Sequence, residues 1–298
     1  MSDKLKKPTV LALGYFDSVH LGHRKVIETA KRYAIEHGAT LTVLTFGGNL
    51  RAMLSCGDDK VVYLAKEREG LLKQLGVDDI YFAPVDFSFL SMGKLAFLNK
   101  INRKYNVICY VCGEDYRFGK FGKGDVNDIK RYAEEKNQHY IITETELYEG
   151  KKISTSYIKR LLTMGSIEKA NELLVNPYFV TGKVCDGRRV GRDLGFPTLN
   201  LNIHKEKHRL RDAVYAGHAY IDGVKYTAIM NYGPRPTFDL NDKIIEAHIL
   251  DFNGDLYGKE VMLCFDAYIR EIQKFSGMED LKNQLKKDLE KIKGIGND

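Results

Sequence analysis

The 298-residue sequence has no apolar run that approaches the roughly 20 residues a membrane-spanning helix needs. Its first residues, Met-Ser-Asp-Lys-Leu-Lys-Lys, are basic but lead into one short apolar strand, so they do not predict a signal peptide. Internal repeats and low-complexity segments are also missing. These absences favour a globular cytoplasmic protein. The length favours two domains, because single cores rarely grow beyond about 250–300 residues.

A concentrated basic stretch is missing as well. The net charge is only +6, from 46 basic and 40 acidic residues, and the basic residues are spread among acids. Nucleic-acid binders more often combine a dense basic patch with aromatic residues, so we expect neither a nucleic-acid nor a membrane partner. Small anionic substrates such as ATP account for the mild excess. The sequence does not specify an oligomeric state.

Cysteines are few, and their number, five, is odd. Cys109 and Cys112 form a Cys-x-x-Cys pattern, which can indicate a redox or zinc site. They lie, however, in an apolar strand, where residues three apart point to opposite faces. No second cysteine pair completes a set of four zinc ligands. We therefore predict that both are buried as small apolar side chains.

The first 145 residues alternate short apolar runs with amphipathic helical patterns. This alternation predicts a parallel α/β sheet with right-handed crossovers, that is, a Rossmann-like domain. Its strands are predicted at 9–13, 40–46, 79–85, 106–112 and 139–145.

The second half changes character after two helical stretches, 154–163 and 166–175. Residues 178–270 show period-two runs, with turns predicted at Asp222-Gly223 and Asn253-Gly254, which indicates an antiparallel β-barrel. A terminal helix follows Ser276. We predict domains at 1–175, including the helical linker, and at 176–298.

Two motifs suggest phosphate chemistry. Residues 14–23 connect the first strand to the first helix, whose free amides and dipole favour phosphate. Gly22 permits close approach, and His20 and His23 can donate to phosphate oxygens. The alternative is that His20 caps the helix and His23 lies on the surface.

The second motif, residues 182–200, combines glycines and arginines in a phosphate cradle. Thr198 and Asn200 share one face of an extended segment and can offer oxygen to Mg²⁺, or they form a polar pair at a strand start. Glu246 shares a strand face with His248, where a lone glutamate is usually solvated. We expect His248 to be structural.

The residues 14–23, read as Gly-x-Phe-Asp-x-x-His-x-Gly-His, resemble the opening motif of the bacterial bifunctional FAD synthetases, or riboflavin kinase/FMN adenylyltransferases. Residues 113–119 resemble that family's flavin-side loop, and 153–159 its phosphate loop. Residues 182–200 and 231–238 resemble loops of its riboflavin kinase half. The resemblance covers nearly the whole chain. It implies a nucleotidyltransferase domain followed by a kinase barrel, with ATP, riboflavin and FMN as substrates, FAD as product and Mg²⁺ as cofactor.

The resemblance also implies roles for individual residues. In the first domain, His20 and His23 would be catalytic. ATP would be bound there by Gly14, Phe16, Asp17, Gly22, Ser156 and Lys159, and flavin by Asp115, Arg117 and Phe118. In the second domain, Glu246 would be the catalytic base and Asn231 would bind flavin. ATP would be bound there by Gly187, Arg188, Gly191 and Arg192, and Mg²⁺ by Thr198 and Asn200.

Departures from the family pattern concentrate in the first domain. Residues 46–50 read Phe-Gly-Gly-Asn-Leu instead of Phe-x-Pro-His-Pro, Gly122 replaces a basic residue, and Thr155-Ser156 is swapped. Lys159 replaces an arginine and so loses a forked grip on phosphate. In the kinase half, Ile272 stands where an acid is common. Adenylylation is therefore predicted to be slower than phosphorylation. Two alternatives stay open: a kinase with a degraded first domain, and a non-catalytic flavin-binding regulatory module.

Overall fold

The chain divides into two compact units, Met1–Tyr157 and Ile158–Asp298. The computed structural model describes residues 7–53, 60–185, 197–234 and 243–295. The predicted boundary between residues 175 and 176 lies beyond the helix Ile167–Leu173, which groups with the second unit. That boundary stays a prediction. In the described part of the chain, no helix is long and apolar enough to cross a membrane.

The first unit is built on a parallel sheet of five strands, in the order β3-β2-β1-β4-β5. The strands are β1 (Pro8–Leu13), β2 (Thr40–Phe46), β3 (Asp79–Ala83), β4 (Asn106–Gly113) and β5 (His139–Thr143). The helices are α1 (Leu21–Glu36), α2 (Leu50–Met53), α3 (Ala65–Gln74), α4 (Phe87–Leu90), α5 (Lys94–Lys104) and α6 (Val126–Glu135). The five predicted strands are confirmed, with ends within two residues of the observed ones.

Alternate residues of the central strands face two separate cores, because both faces of the sheet are covered by helices. Val10 and Ala12 of β1 pack with α1, whereas Leu11 and Leu13 pack with α5 and α6. Cys109 belongs to the first of these cores and Cys112 to the second. Burial raises the pKa of both thiols to about 12. The prediction that both cysteines are buried as small apolar side chains is confirmed.

A short hairpin and two helices follow the sheet: β6 (Leu147–Tyr148), β7 (Lys151–Lys152), α7 (Thr155–Met164) and α8 (Ile167–Leu173). The second unit then forms a closed barrel in the order β10-β11-β12-β9-β8-β13. Its strands are β8 (Phe179–Cys185), β9 (Thr198–Asn202), β10 (Ala213–Ile221), β11 (Val224–Pro234), β12 (Lys243–Ile249) and β13 (Glu260–Arg270). The terminal helix is α9 (Met278–Ile295). Both predicted fold types are confirmed.

One of the two predicted hairpin turns is correct. Asp222 and Gly223, with φ of +50° and +83°, join β10 to β11, as a two-residue turn of the primed type requires. The turn predicted at Asn253-Gly254 is wrong. Strand β12 pairs with β11 on one side and β9 on the other, so no edge remains for β13. A longer loop therefore connects these two strands.

Helix α9 is fixed to the outer face of the barrel by apolar contacts and one ion pair. Ile292 packs with Val214 and Ile229. Arg270 donates from Nε and Nη2 to the fully buried carboxylate of Asp288, at 3.0 and 2.8 Å. Because removing one partner would leave a buried charge unpaired, this contact fixes the position of the helix beside β13.

Candidate active sites in the two units

A cleft of about 480 Å³ opens in the first unit at the carboxyl end of the parallel sheet. It lies where β1 and β4 are neighbours, the point at which the strand order reverses and where open α/β sheets usually bind ligands. The structure brings eight predicted site residues together around it: Gly14, Phe16, His20, Gly22, His23, Asp115, Arg117 and Ser156.

His20 and His23 form a stacked pair at the start of α1. Their rings lie 3.7 Å apart and nearly parallel, and His20 Nδ1 accepts the backbone N–H of His23 at 3.2 Å. His20 is therefore the N-cap, and it also lines the cleft. A Cβ at Gly22 would lie 3.1 Å from the His20 ring. A glycine at this position lets the ring fold back over the helix end.

Both imidazoles are held neutral. Burial is the main cause that lowers the pKa of His20 to about 4. The pKa of His23 lies well below 6.5, first because of burial and then because of the charges of His20 and Arg68. Since Nδ1 of His20 is an acceptor, its proton is on Nε2. Near pH 7 the site thus offers uncharged N–H donors.

A second helix start contributes to the same cleft. Ser154, Thr155 and Ser156 line it, and Ser154 Oγ accepts the backbone N–H of Tyr157 at 3.3 Å. The hydroxyls of Thr155 and Ser18 are 3.0 Å apart, which ties α7 to the loop after β1. Two helix N-termini therefore converge here, an arrangement that favours an anionic phosphate chain.

Three predicted site residues do not line the cleft. Asp17 is fully buried, and its Oδ1 accepts the Val62 N–H at 2.9 Å. Phe118 is 5% exposed and packs in the core below Tyr116, with the rings stacked at 5.8 Å. Lys159 is 4% exposed in α7, whose contribution to the cleft lining ends at Ser156. Among the departures, Leu50 and the swapped pair Thr155-Ser156 border the cleft.

Lys152 is a cleft residue that the sequence reasoning missed. It lies in β7 and its ammonium pairs with the carboxylate of Asp115, which lines the same cleft. The signal that could have found it is its position, one residue before the segment that resembles a phosphate loop. Neighbouring Glu146 is paired with Lys25 at 2.9 Å.

In the second unit, three predicted site residues form a row across adjacent strands. Glu246 of β12 is directly opposite Asn200 of β9 on one side and Asn231 of β11 on the other. Directly opposed residues share a face with Cα atoms about 4.5–5.5 Å apart. Their chain neighbours Ile245 and Tyr232 are fully buried in the barrel. The row therefore occupies the outer face.

The row is flanked by features suited to ligands. Asn231 Oδ1 is buried and accepts no hydrogen bond from any described residue. On the other side, Thr198 is exposed and lines a cleft of about 660 Å³ with the loop 252–257. His248 Nδ1 lies 2.9 Å from the Pro197 carbonyl oxygen and so steadies the start of β9. This contact agrees with the structural role expected for His248.

Mg²⁺ fits the oxygen donors of this face. Thr198 and Asn200 offer a hydroxyl and an amide oxygen two residues apart on β9, with the Glu246 carboxylate beside them. Hard oxygen ligands, few in number, suit a cation that keeps waters and binds substrate phosphates. Within the described residues no cluster of three His, Cys, Asp or Glu could hold a metal alone. The predicted ATP ligands Gly187, Arg188, Gly191 and Arg192 lie outside the described residues.

Comparison with known proteins decides the family. The FAD synthetase family model matches residues 2–157, and the riboflavin kinase model matches residues 174–295. The chain belongs to the bifunctional riboflavin kinase/FMN adenylyltransferase family. The predicted membership and fold class are confirmed.

Relatives from this family match the chain over nearly their whole length. The chain is 36% identical to the bifunctional riboflavin kinase/FMN adenylyltransferase of Bacillus subtilis (strain 168), covering 94% of this chain and 90% of that one. It is 34% identical to the protein of the same name from Listeria monocytogenes, with the same coverage. A crystal structure described as a macrolide-efflux protein from Streptococcus pneumoniae superposes with a TM-score of 0.88 and 31% identity, covering 96% of this chain and 94% of that one.

Proposed function

We propose that each unit carries one step of FAD synthesis at the site described for it. As a bifunctional family member, the chain phosphorylates riboflavin to FMN and adenylylates FMN to FAD, with ATP as co-substrate of both steps. The observation that supports the residue roles best is the row on the barrel, where Glu246 lies between Asn200 and Asn231. This position of Glu246, between Asn200 and Asn231, supports a base that lies between a metal ligand and a flavin ligand.

In the kinase step, Glu246 accepts the proton of the ribityl 5′-hydroxyl while that oxygen attacks the γ-phosphorus of ATP. ADP leaves as the new P–O bond forms. Asn231 binds the flavin through its unpaired Oδ1, and Thr198 and Asn200 would hold Mg²⁺. The ion supplies charge neutralisation at the phosphate oxygens when bound. Positioning and electrostatics therefore do most of the work.

In the adenylyl step, an FMN phosphate oxygen attacks the α-phosphorus of ATP and pyrophosphate leaves. No protein nucleophile is needed. His20 and His23 donate N–H bonds to the phosphate oxygens as charge develops, and Ser156 and the two helix starts add backbone and hydroxyl donors. Lys159 keeps its predicted phosphate role as a proposal. Asp17 does not contact the nucleotide in this proposal. Its carboxylate supports the site by accepting the Val62 N–H.

FMN formation and FAD formation should proceed at different rates. Because Leu50 and the pair Thr155-Ser156 line the first cleft and depart from the family pattern, we expect FMN to accumulate before FAD when the protein is mixed with riboflavin, ATP and Mg²⁺. Chromatographic separation of the flavins measures both steps, and excess EDTA should stop them.

Lys159→Arg should speed the second step, FAD formation, if the lysine limits it. FAD forming as fast as FMN would contradict the expectation. FMN alone would favour the kinase-only alternative, and no product the non-catalytic one.

Lys152 offers a second test of the first cleft. The Lys152 ammonium can exchange the Asp115 carboxylate for a substrate phosphate. In FAD formation, Lys152→Gln should therefore raise the KM for the substrate whose phosphate it binds, ATP or FMN, about 10-fold. This is the loss expected for one charged contact. Lys152→Arg should keep most activity. Lys151→Gln, at the exposed neighbouring position of the same hairpin, is the matched control. Equal kinetics for the two glutamine variants would show that Lys152 only makes a surface ion pair.

A further inference from the structure

Arg68 is a buried arginine beneath the loop of the first cleft. It lies in α3, is 2% exposed, and is among the largest fully buried side chains of the described residues. An arginine is almost never fully buried unless it is paired, and Arg68 donates from both terminal nitrogens, whereas its Nε has no hydrogen-bond partner among the described residues. The acceptors that it has found lie at the carboxyl ends of two neighbouring strands, β1 and β2.

The guanidinium makes a fork between these strand ends. Nη1 donates to the Tyr15 carbonyl oxygen at 3.0 Å and to Thr45 Oγ1 at 3.3 Å, and Nη2 donates to the Phe46 carbonyl oxygen at 2.6 Å. Thr45 Oγ1 itself donates to the Tyr15 carbonyl at 2.6 Å. Tyr15 and Phe46 both line the cleft. One side chain therefore sets the spacing of two walls of the cleft.

The loop that Arg68 holds is strained. Phe16 and Val19 have φ of +50° and +42°, a left-handed conformation that side-chain-bearing residues rarely adopt. Such conformations persist only where the surroundings over-determine them. Between the two strained residues and α1 lies His20, the cap of the helix. The hydrogen bond from Arg68 to Tyr15 thus restrains the loop that leads into the histidine pair.

The charge of Arg68 also reaches the site. Burial lowers the pKa of the guanidinium, and the carboxylate of Asp17 offsets part of this lowering. An arginine nevertheless remains charged in proteins at neutral pH. After burial and His20, this charge is the next cause that lowers the pKa of His23. The arginine therefore favours the neutral, N–H-donating form of that imidazole.

We propose that Arg68 is a positioning residue for adenylyl transfer, which holds the Tyr15–His20 loop in the shape that presents His20 and His23 to the phosphates. The proposal rests on the proposed function of this cleft. A lysine at position 68 keeps the charge but lacks the fork that reaches three acceptors, whereas methionine lacks both. The two substitutions therefore separate geometry from charge.

The test is the kinetics of FAD formation from supplied FMN by Arg68→Lys, Arg68→Met and wild type. We expect Arg68→Lys to lower kcat/KM for ATP about 10- to 100-fold, mostly in kcat, because His20 and His23 are no longer held where they donate to the transition state. Riboflavin phosphorylation in the same chain is the internal control and should stay within about two-fold. The acid limb of the pH profile, compared with wild type on the same substrates, should move to higher pH in Arg68→Met and not in Arg68→Lys.

A purely structural role is separated by Leu72→Ala, which opens a cavity in the core face of the same helix and removes none of the hydrogen bonds from Arg68 to the loop. If Arg68→Lys loses no more FAD formation than Leu72→Ala at equal thermal stability, the proposal is overturned. Should Arg68→Lys fail to fold, Thr45→Val removes one acceptor of the fork and one donor to Tyr15. It should then lower kcat in the same direction, and an unchanged kcat would overturn the proposal.

The proposed function fails separately from this inference. If wild type makes no FAD, the assignment of the cleft is wrong. If wild type makes FAD, His23→Ala does not, and the Arg68 variants match wild type, only the role of Arg68 is wrong.

Discussion

Glu246→Gln is expected to lower the rate of FMN formation by at least about 10²-fold, within the 10²–10⁴-fold range that general-base catalysis contributes. The substitution preserves shape and the cross-strand contacts with Asn200 and Asn231. It removes the carboxylate that we propose as acceptor of the hydroxyl proton. The loss should therefore fall on kcat, with KM for riboflavin little changed. Initial rates of FMN appearance, measured at saturating ATP, decide this.

The matched control is Glu260→Gln, which makes the same chemical change at an exposed position of β13. The row of Asn200, Glu246 and Asn231 lies on β9, β12 and β11, and β13 is a neighbour of none of these three strands in the barrel order. It should keep wild-type rates, and both variants should unfold near the wild-type temperature. Glu246→Gln protein that phosphorylates riboflavin at the Glu260→Gln rate would rule out Glu246 as the base.

His23→Ala is expected to lower FAD formation from supplied FMN by about 10²–10³-fold or more, the loss typical of removing one oxyanion donor. The substitution also removes the ring stacked on His20 at 3.7 Å. Riboflavin phosphorylation should remain near normal, because Glu246, Asn231 and Asn200 belong to the other unit. Separate assays with FMN and with riboflavin measure the two rates.

His37→Ala provides the control in the same helix. His37 lies at the opposite end of α1, exposed, with its ring stacked on Tyr33 at 3.9 Å. It should retain both activities. Joint loss of both activities in folded His23→Ala protein would indicate one composite site instead of two independent ones.

Local patterns in the sequence predicted the strand-to-helix geometry of one part of the first cleft, because the residues of that part are close in the chain. The segment from Gly14 to His23 connects one strand to one helix, so its motif and its geometry are nearly the same information. The pattern could not show that Asp17 points inward to Val62. Nor could it find Arg68, which reaches the loop from another helix, 53 residues away from Tyr15.

By itself, the sequence determined the five strands of the first unit, the two burial faces of β4, and the primed turn at Asp222-Gly223. These depend on side-chain period and on local backbone preference, which short segments already specify. Only the tertiary structure decided that Asn200, Glu246 and Asn231 form one row, and that β12 has no edge left for β13. Strand alternation specifies which face a residue occupies but not which strand becomes its neighbour. The closure of the barrel makes that choice, through pairings between distant segments.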